Sequence, residues 1–266
     1  MNHLLRSSAP LSDANWSLID GEARERLAPA LAARKLVDFS GPHGWEHSAT
    51  NLGRVDEVAA APCDGVRALR RRVLPLVEAR TEFELSRAEL RDADRGAEDV
   101  DLAPLDTAAR QIAIAENVAV FHGWKGALTG IAEATPHKHP QLGASAEKYP
   151  QLIAQAVEEL LSAGIGGPYG LALGRDQYRR VVETAEHGGF PLFDHLAKIL
   201  GGPIVWAPGV EGALVLSLRG GDFLFESGQD ISIGYIDHDT ETVLLYLEES
   251  FSFRVATPEA GVALRP

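Results

Sequence analysis

Histidines and carboxylates that fall close together are the first places where this sequence could do chemistry. His137 and His139 flank Lys138 in TPHKHP. In an extended segment this pair could share a metal ion, but zinc takes three or four ligands, and no cysteine and no compact His or carboxylate group stands nearby. His238 lies between Asp237 and Asp239, which reads as a polar turn. A catalytic triad would also need an activated serine, and no G-x-S-x-G is present. Asp99 and Asp101 sit one residue apart in a polar turn ahead of a predicted helix. Gly164, Gly166, Gly167 and Gly170 invite comparison with a phosphate loop. Such a loop follows a strand and opens a helix, so that the helix N-terminus faces the phosphate. Here the glycines follow a predicted helix and open a predicted strand, and Pro168 removes a backbone donor. They read as a helix end and a turn. Cys63, the single cysteine, lies between Pro62 and Asp64 with nothing to activate it. No catalytic residue and no metal site is predicted. The alternatives are a soluble hydrolase or metal-dependent enzyme using His137, His139 and His238, or a small-molecule binding domain.

The elements that would position these residues are legible from periodicity. Residues 12–34 predict an amphipathic helix capped by Ser12, with Trp16, Ile19, Ala23, Leu27, Ala30 and Leu31 recurring at spacings of three and four. Pro29 predicts a kink or a break. Residues 41–82 begin with the turn formers GPHGWEH and continue with strand-like pieces at Arg54–Val58 and Val73–Arg80. This stretch makes a poor core of its own and suits a long hairpin reaching onto another copy, with Pro75 at an edge or bulge. Leu105–Trp124 predicts a strongly apolar helix. Helices at Tyr149–Ala163, Arg175–Glu186 and Leu192–Leu200 alternate with strands at Tyr169–Leu173, Ile204–Ala207 and Ala213–Leu218, as in a compact α+β or α/β unit. The last fifth reads as a sheet, with strands at Asp222–Glu226, Asp230–Tyr235 and Thr242–Leu247. A fourth is expected where Phe251, Phe253 and Val255 alternate with Ser252 and Arg254. One domain is expected at 133–218, and the flanks 1–132 and 219–266 are expected to combine into a second.

Composition narrows the function classes. The chain has 266 residues, a net charge of −13, 45% hydrophobic and 24% charged residues. Phosphate binding depends on Lys and Arg, so this charge argues against nucleic acid as the main partner. Arg67, Arg70, Arg71 and Arg72 are a local exception, read as a solvated or interface face. One cysteine rules out an intrachain disulfide. Without an apolar run after Arg6 no signal peptide is predicted, and no apolar run approaches a membrane span, so a cytoplasmic protein is expected.

Several blocks, in order along the chain, resemble encapsulins, the bacterial shell proteins also called linocin-type bacteriocins. They are LLRSSAPLSDANWSLID, RKLVDFSGPHGWEH, GPYGLALG, RGGDF, GQDISIGY and ETVLLYLEESFSFRV. The resemblance implies an α+β chain with the tailed-phage major capsid fold. A peripheral domain (1–132 plus 219–266) would carry an N-terminal helix (1–40) and an extended loop (41–82), and 133–218 would be the axial domain. It implies a shell subunit without catalysis, about sixty copies or a larger multiple of which close into an icosahedral particle. The particle would enclose a dye-decolourising peroxidase or a ferritin-like protein, bound through its C-terminal targeting peptide, in iron storage or oxidative-stress defence. The implied peptide groove comprises Leu27, Leu31, Arg34, Asp38, Ile231 and Ile233. The implied fivefold pore loop is Glu186, His187, Gly188, Gly189 and Phe190. Some relatives stack a flavin on a Trp where LSRAELRD carries Ala88, so no cofactor is expected.

Overall fold

The computed structural model describes residues 3–59, 61, 63–143, 145–185 and 189–266. Helix α1 spans Asp13–Ala30, and the Ser12 hydroxyl caps it by accepting the Asn15 N–H at 3.1 Å. Trp16, Ile19, Ala23, Leu27 and Ala30 are its buried stripe. The helix stops one residue after Pro29, and a short 3-10 turn, Ala33–Lys35, follows. The break expected at Pro29 is therefore a helix end. Pro29 contributes no N–H to the ladder, and a side chain from elsewhere in the chain takes up the groups released there. That side chain is Asn117, which is fully buried in the apolar helix α3 (Ala103–Phe121 in the chain). Its Oδ1 accepts the N–H groups of Ala32 and Ala33, and its Nδ2 donates to Ala30 O and Pro208 O. All four capacities of the amide are used.

Strand β1 (Asp38–Ser40) runs parallel to β8 (Phe223–Ser227) at the edge of a five-stranded sheet. The centre of that sheet is β10, Thr242–Val255, a single strand of 14 residues where the sequence predicted two. Its polar middle, Glu248, Glu249 and Ser250, falls between the two predicted strands. All three residues are buried, with partners from distant parts of the chain. Along one side β10 pairs with β4 (Val77–Ser86). Along the other it pairs with β9 (Ser232–His238) over Val243–Glu248 and with β8 over Phe251–Val255. Helix α2 (Arg87–Asp94) follows β4 directly, and α3 packs across β4 and β10.

The predicted long hairpin is β2 (Ala49–Glu57) and β3 (Leu69–Pro75). It is shorter than the expected 41–82, because Pro75 ends the ladder and β4 belongs to the sheet from Val77 onward. The hairpin has no core of its own. Val55, Val58, Val66, Leu69 and Val73 are all exposed on it.

The remaining segment forms a second sheet. It holds β5 (Tyr169–Leu173), β6 (Ile204–Trp206), β7 (Ala213–Ser217) and β11 (Gly261–Leu264), in the order β11-β7-β5-β6. The short α4 (Ile131–Ala134) leads toward it, and α5 (Tyr149–Ser162), α6 (Arg175–Glu183) and α7 (Leu192–Leu200) accompany it. The grouping of 219–266 with the first 132 residues does not hold for the last strand. β11 pairs with β7, since Val262, Ala263 and Leu264 are buried and need the apolar side chains of the second sheet.

Candidate functional site

A cavity of about 430 Å³ lies between the C-terminal half of α1 and the start of β9, within the range of about 300–1,000 Å³ common for ligand pockets. Its lining includes Leu27, Leu31, Arg34, Ile231 and Ile233, five of the six residues expected to form one groove. Leu27 and Ile233 are buried and form its floor, while Leu31 and Ile231 are half-buried and accessible. The helical spacing of four brings Leu27 and Leu31 to one face. The strand spacing of two does the same for Ile231 and Ile233. Leu4, Ala23 and Leu247 complete the apolar wall. At the rim Arg6 lies 4.0 Å from the Trp16 ring centroid and pairs with Asp20 at 2.7 Å.

Asp38 is not part of this groove. It is exposed, its carboxylate accepts the Gly221 N–H at 2.7 Å, and it borders a separate small cavity with Gly220 and Phe223. Asp38 starts β1, and the parallel pairing with β8 turns it toward the RGGDF turn.

Arg34 does line the groove, but its guanidinium is already engaged. It donates to Glu116 Oε2 at 2.7 Å, to Asp230 Oδ1 at 2.6 Å and to Glu249 Oε2 at 3.0 Å. It ties the end of α1 to α3, to β10 and to the turn before β9. Burial would lower the Arg34 pKa, but Glu116, Glu249 and Asp230 outweigh it and hold the group above its ordinary value. Burial raises the Glu116 carboxyl against the pull of Arg34. Burial, and then the charge on Glu116, push Glu249 well above the carboxylate range. Among the described residues no donor reaches Oε1 of either carboxyl group. Burial favours the neutral, protonated form of Glu249. Asn117 and this pair escaped the sequence reading. The signal was present as Glu116-Asn117 inside the apolar run AIAENVAV, where two polar residues on a buried helix demand partners.

The other candidates scatter. His137 Nε2 is bound to Glu259 O at 2.9 Å, and its Nδ1 lies 3.8 Å from Glu159. His238 Nδ1 meets the Tyr235 hydroxyl. Among the described residues no three His, Cys, Asp or Glu side chains gather as metal ligands. The Asp101 carboxylate accepts the Ala103 N–H at the start of α3. Ala88 is exposed in the first turn of α2. Of the expected pore loop, Glu186, His187 and Gly188 lie outside the described residues. Gly189 and Phe190 are exposed, with Lys198 Nζ 4.4 Å from the Phe190 ring centroid. No helix among the described residues is long and apolar enough to cross a membrane.

Comparison with known proteins bears on the whole chain. The Linocin_M18 family model, described as an encapsulating protein for peroxidase, matches residues 1–252. A type 1 encapsulin shell protein of Rhodospirillum rubrum is 47% identical over 271 residues, covering 100% of this chain and 97% of that protein. That of Mycobacterium tuberculosis is 42% identical and covers 99% of each. Among solved structures, a virus-like particle from Pyrococcus furiosus matches with a TM-score of 0.63 at 18% identity, over 95% of this chain and 98% of that one. The capsid of Myoviridae phage XM1 matches with a TM-score of 0.53 at 10% identity, over 88% and 90%. The fold is the tailed-phage major capsid fold, and the chain belongs to the family of type 1 encapsulin shell proteins.

Proposed function

We propose that many copies of this chain close into a hollow icosahedral particle in the cytoplasm, about sixty or a larger multiple, through contacts whose rotations close. The particle encloses a cargo enzyme, and the subunit itself is structural. The single observation that carries this reading is family membership over nearly the whole length, at 40–47% identity to named shell proteins. The bare hairpin supports it, because its exposed valines and leucine are explained by burial on another copy. The family model's description favours a peroxidase as cargo, with a ferritin-like protein as the other member of the implied pair. The groove of Leu27, Leu31, Ile231 and Ile233 receives the cargo's C-terminal targeting peptide on the inner wall. Each fully buried aliphatic anchor contributes roughly 1.5–3 kcal/mol, less the ordering of the peptide. A multimeric cargo then multiplies a weak single contact. A fivefold opening in the particle controls small-molecule access. In this division 133–218, joined by strand β11, is the axial domain, and the flanks without that strand are the peripheral one.

The test is co-expression with the candidate cargo. Megadalton particles containing cargo are expected from the natural sequence. Leu31→Asp with Ile231→Asp, at the two accessible groove positions, is expected to give intact but empty particles. A small oligomer from the natural sequence overturns the shell reading. Cargo retention by the double variant overturns the groove assignment alone.

A further inference from the structure

We infer that the segment held in the groove binds as an added strand on the outer edge of β9, paired to the backbone of Ile233. This rests on the reading of the groove as a peptide site, and it specifies how and which peptides. Among the described residues strand β9 is paired with another strand along one edge only, by β10. Within a strand, successive residues direct their N–H and C=O groups to opposite edges. Two observations fix which residues face outward. Tyr235 donates its N–H to Leu4 O at 2.9 Å, away from β10. Ser250 exchanges backbone hydrogen bonds with Gly228 and Gln229, toward the β8 and β9 side. By the same alternation Glu248 and Tyr246 bond in that direction, to their register partners Ser232 and Gly234. Ile233, between those two, therefore turns both its N–H and its C=O outward.

The open edge is bounded on both sides. At one end Leu4 occupies Tyr235. At the other the Ile231 N–H is taken by Asp230 Oδ1 at 2.8 Å, and Asp230 is itself held by Arg34. Between these stops the edge borders the cavity, because Ile231 and Ile233 line it. Leu4 shows that this edge accepts extended chain, since its carbonyl is bonded to β9 while Leu4 also lines the cavity. An extended segment laid beside Leu4 would direct every second side chain toward the face shared by Ile233, Leu27 and Leu31. The ligand is thus a short extended peptide with aliphatic side chains at alternate positions. The Arg34 cluster acts on it only as a positioning group, by holding Asp230 and so ending the open edge. Strand addition of this kind takes affinity from main-chain bonds and specificity from alternate side chains.

The experiment uses the full chain co-expressed with a fluorescent protein bearing one of two C-terminal tags, and reads the fluorescence retained per particle. One tag alternates, Ser-Leu-Ser-Ile-Ser-Leu-Ser. The other permutes the same residues into a contiguous apolar block. A proline scan of the alternating tag and the shell variant Ile233→Pro complete the set. Ile233→Pro gives up the outward N–H and no bond to β10. Strand addition predicts preferential retention of the alternating tag, abolished by Leu31→Asp with Ile231→Asp. It predicts a proline effect with a period of two, and a three- to tenfold loss with Ile233→Pro, the size of one or two net hydrogen bonds. Equal retention of both tags and a flat proline scan, still abolished by the double variant, overturn strand addition and leave the groove standing. Retention indifferent to the double variant, or no retention of either tag, overturns both. If Ile233→Pro particles do not form, the tag comparison decides alone.

Discussion

Asn117 holds together three segments distant in sequence: the end of α1, the spine of α3 and the loop at Pro208. Removing its amide orphans two buried N–H groups and two carbonyls, each worth about 1–3 kcal/mol when left without water. Asn117→Ala is expected to destabilise the subunit by about 3 kcal/mol or more, read as a fall in denaturant midpoint. Glu249 carries a different signature. Its folded pKa is raised above the unfolded value, so between the two values the folded state binds more protons and stability falls as pH rises. Stability from this site is complete below the ordinary carboxylate range and is lost as pH climbs through the raised pKa. Glu249→Gln keeps the size of the side chain and cannot ionise. It is expected to flatten the alkaline decline in melting temperature measured across pH, and an unchanged slope would place the proton elsewhere.

The hairpin β2–β3 makes the clearest case among the elements. Val55, Leu69 and Val73 are each about half exposed (51%, 49% and 50%) on a two-stranded ribbon, and such a ribbon is marginal in water without a partner. Changing all three to Ser is expected to leave the circular dichroism of the subunit unchanged, since exposed substitutions usually shift stability within about 0.5 kcal/mol. The same change should move the chain from particle to subunit in size-exclusion chromatography. Elements whose signal is local were legible in the sequence. Leu192–Leu200 and Tyr169–Leu173 have the bounds their periodicity predicts, and α1 begins at its predicted cap. Spacings of four and two put Leu27 with Leu31 on one face and Ile231 with Ile233 on another, while the meeting of the two faces was implied only by the family resemblance. Strand β10 was misread because its middle is made by partners 168 and 215 residues away, Arg80 for Glu248 and Arg34 for Glu249. No local pattern distinguishes a polar break between two strands from a buried strand whose charges are matched from elsewhere. The same blindness hid the engagement of Arg34 and the turn of Asp38 toward Gly221. Strand β11 was missed because four residues after a proline-containing loop carry too little periodicity.

At the scale of the molecule, the proposed function gives chemistry to the cargo and selection to the shell. Cargo-free particles are expected to show no peroxidase, ferroxidase or hydrolase turnover, in assays where the same cargo released from particles is active. A turnover that survives in empty particles, and is lost on changing one side chain, would contradict the structural role. The 14-residue strand β10 has a consequence of another kind. Over Val243–Glu248 it has a strand on each side, so these amides lie inside the sheet, whereas the hairpin is nearly all surface. Local opening is cheapest where few apolar contacts must be broken. In deuterated buffer, subunits kept apart should label their hairpin amides first and the amides of 243–248 last. Closure into particles should slow the hairpin by far the larger factor. The clock that reports folding and the clock that reports assembly would then run on different segments of one chain, readable from a single peptide map.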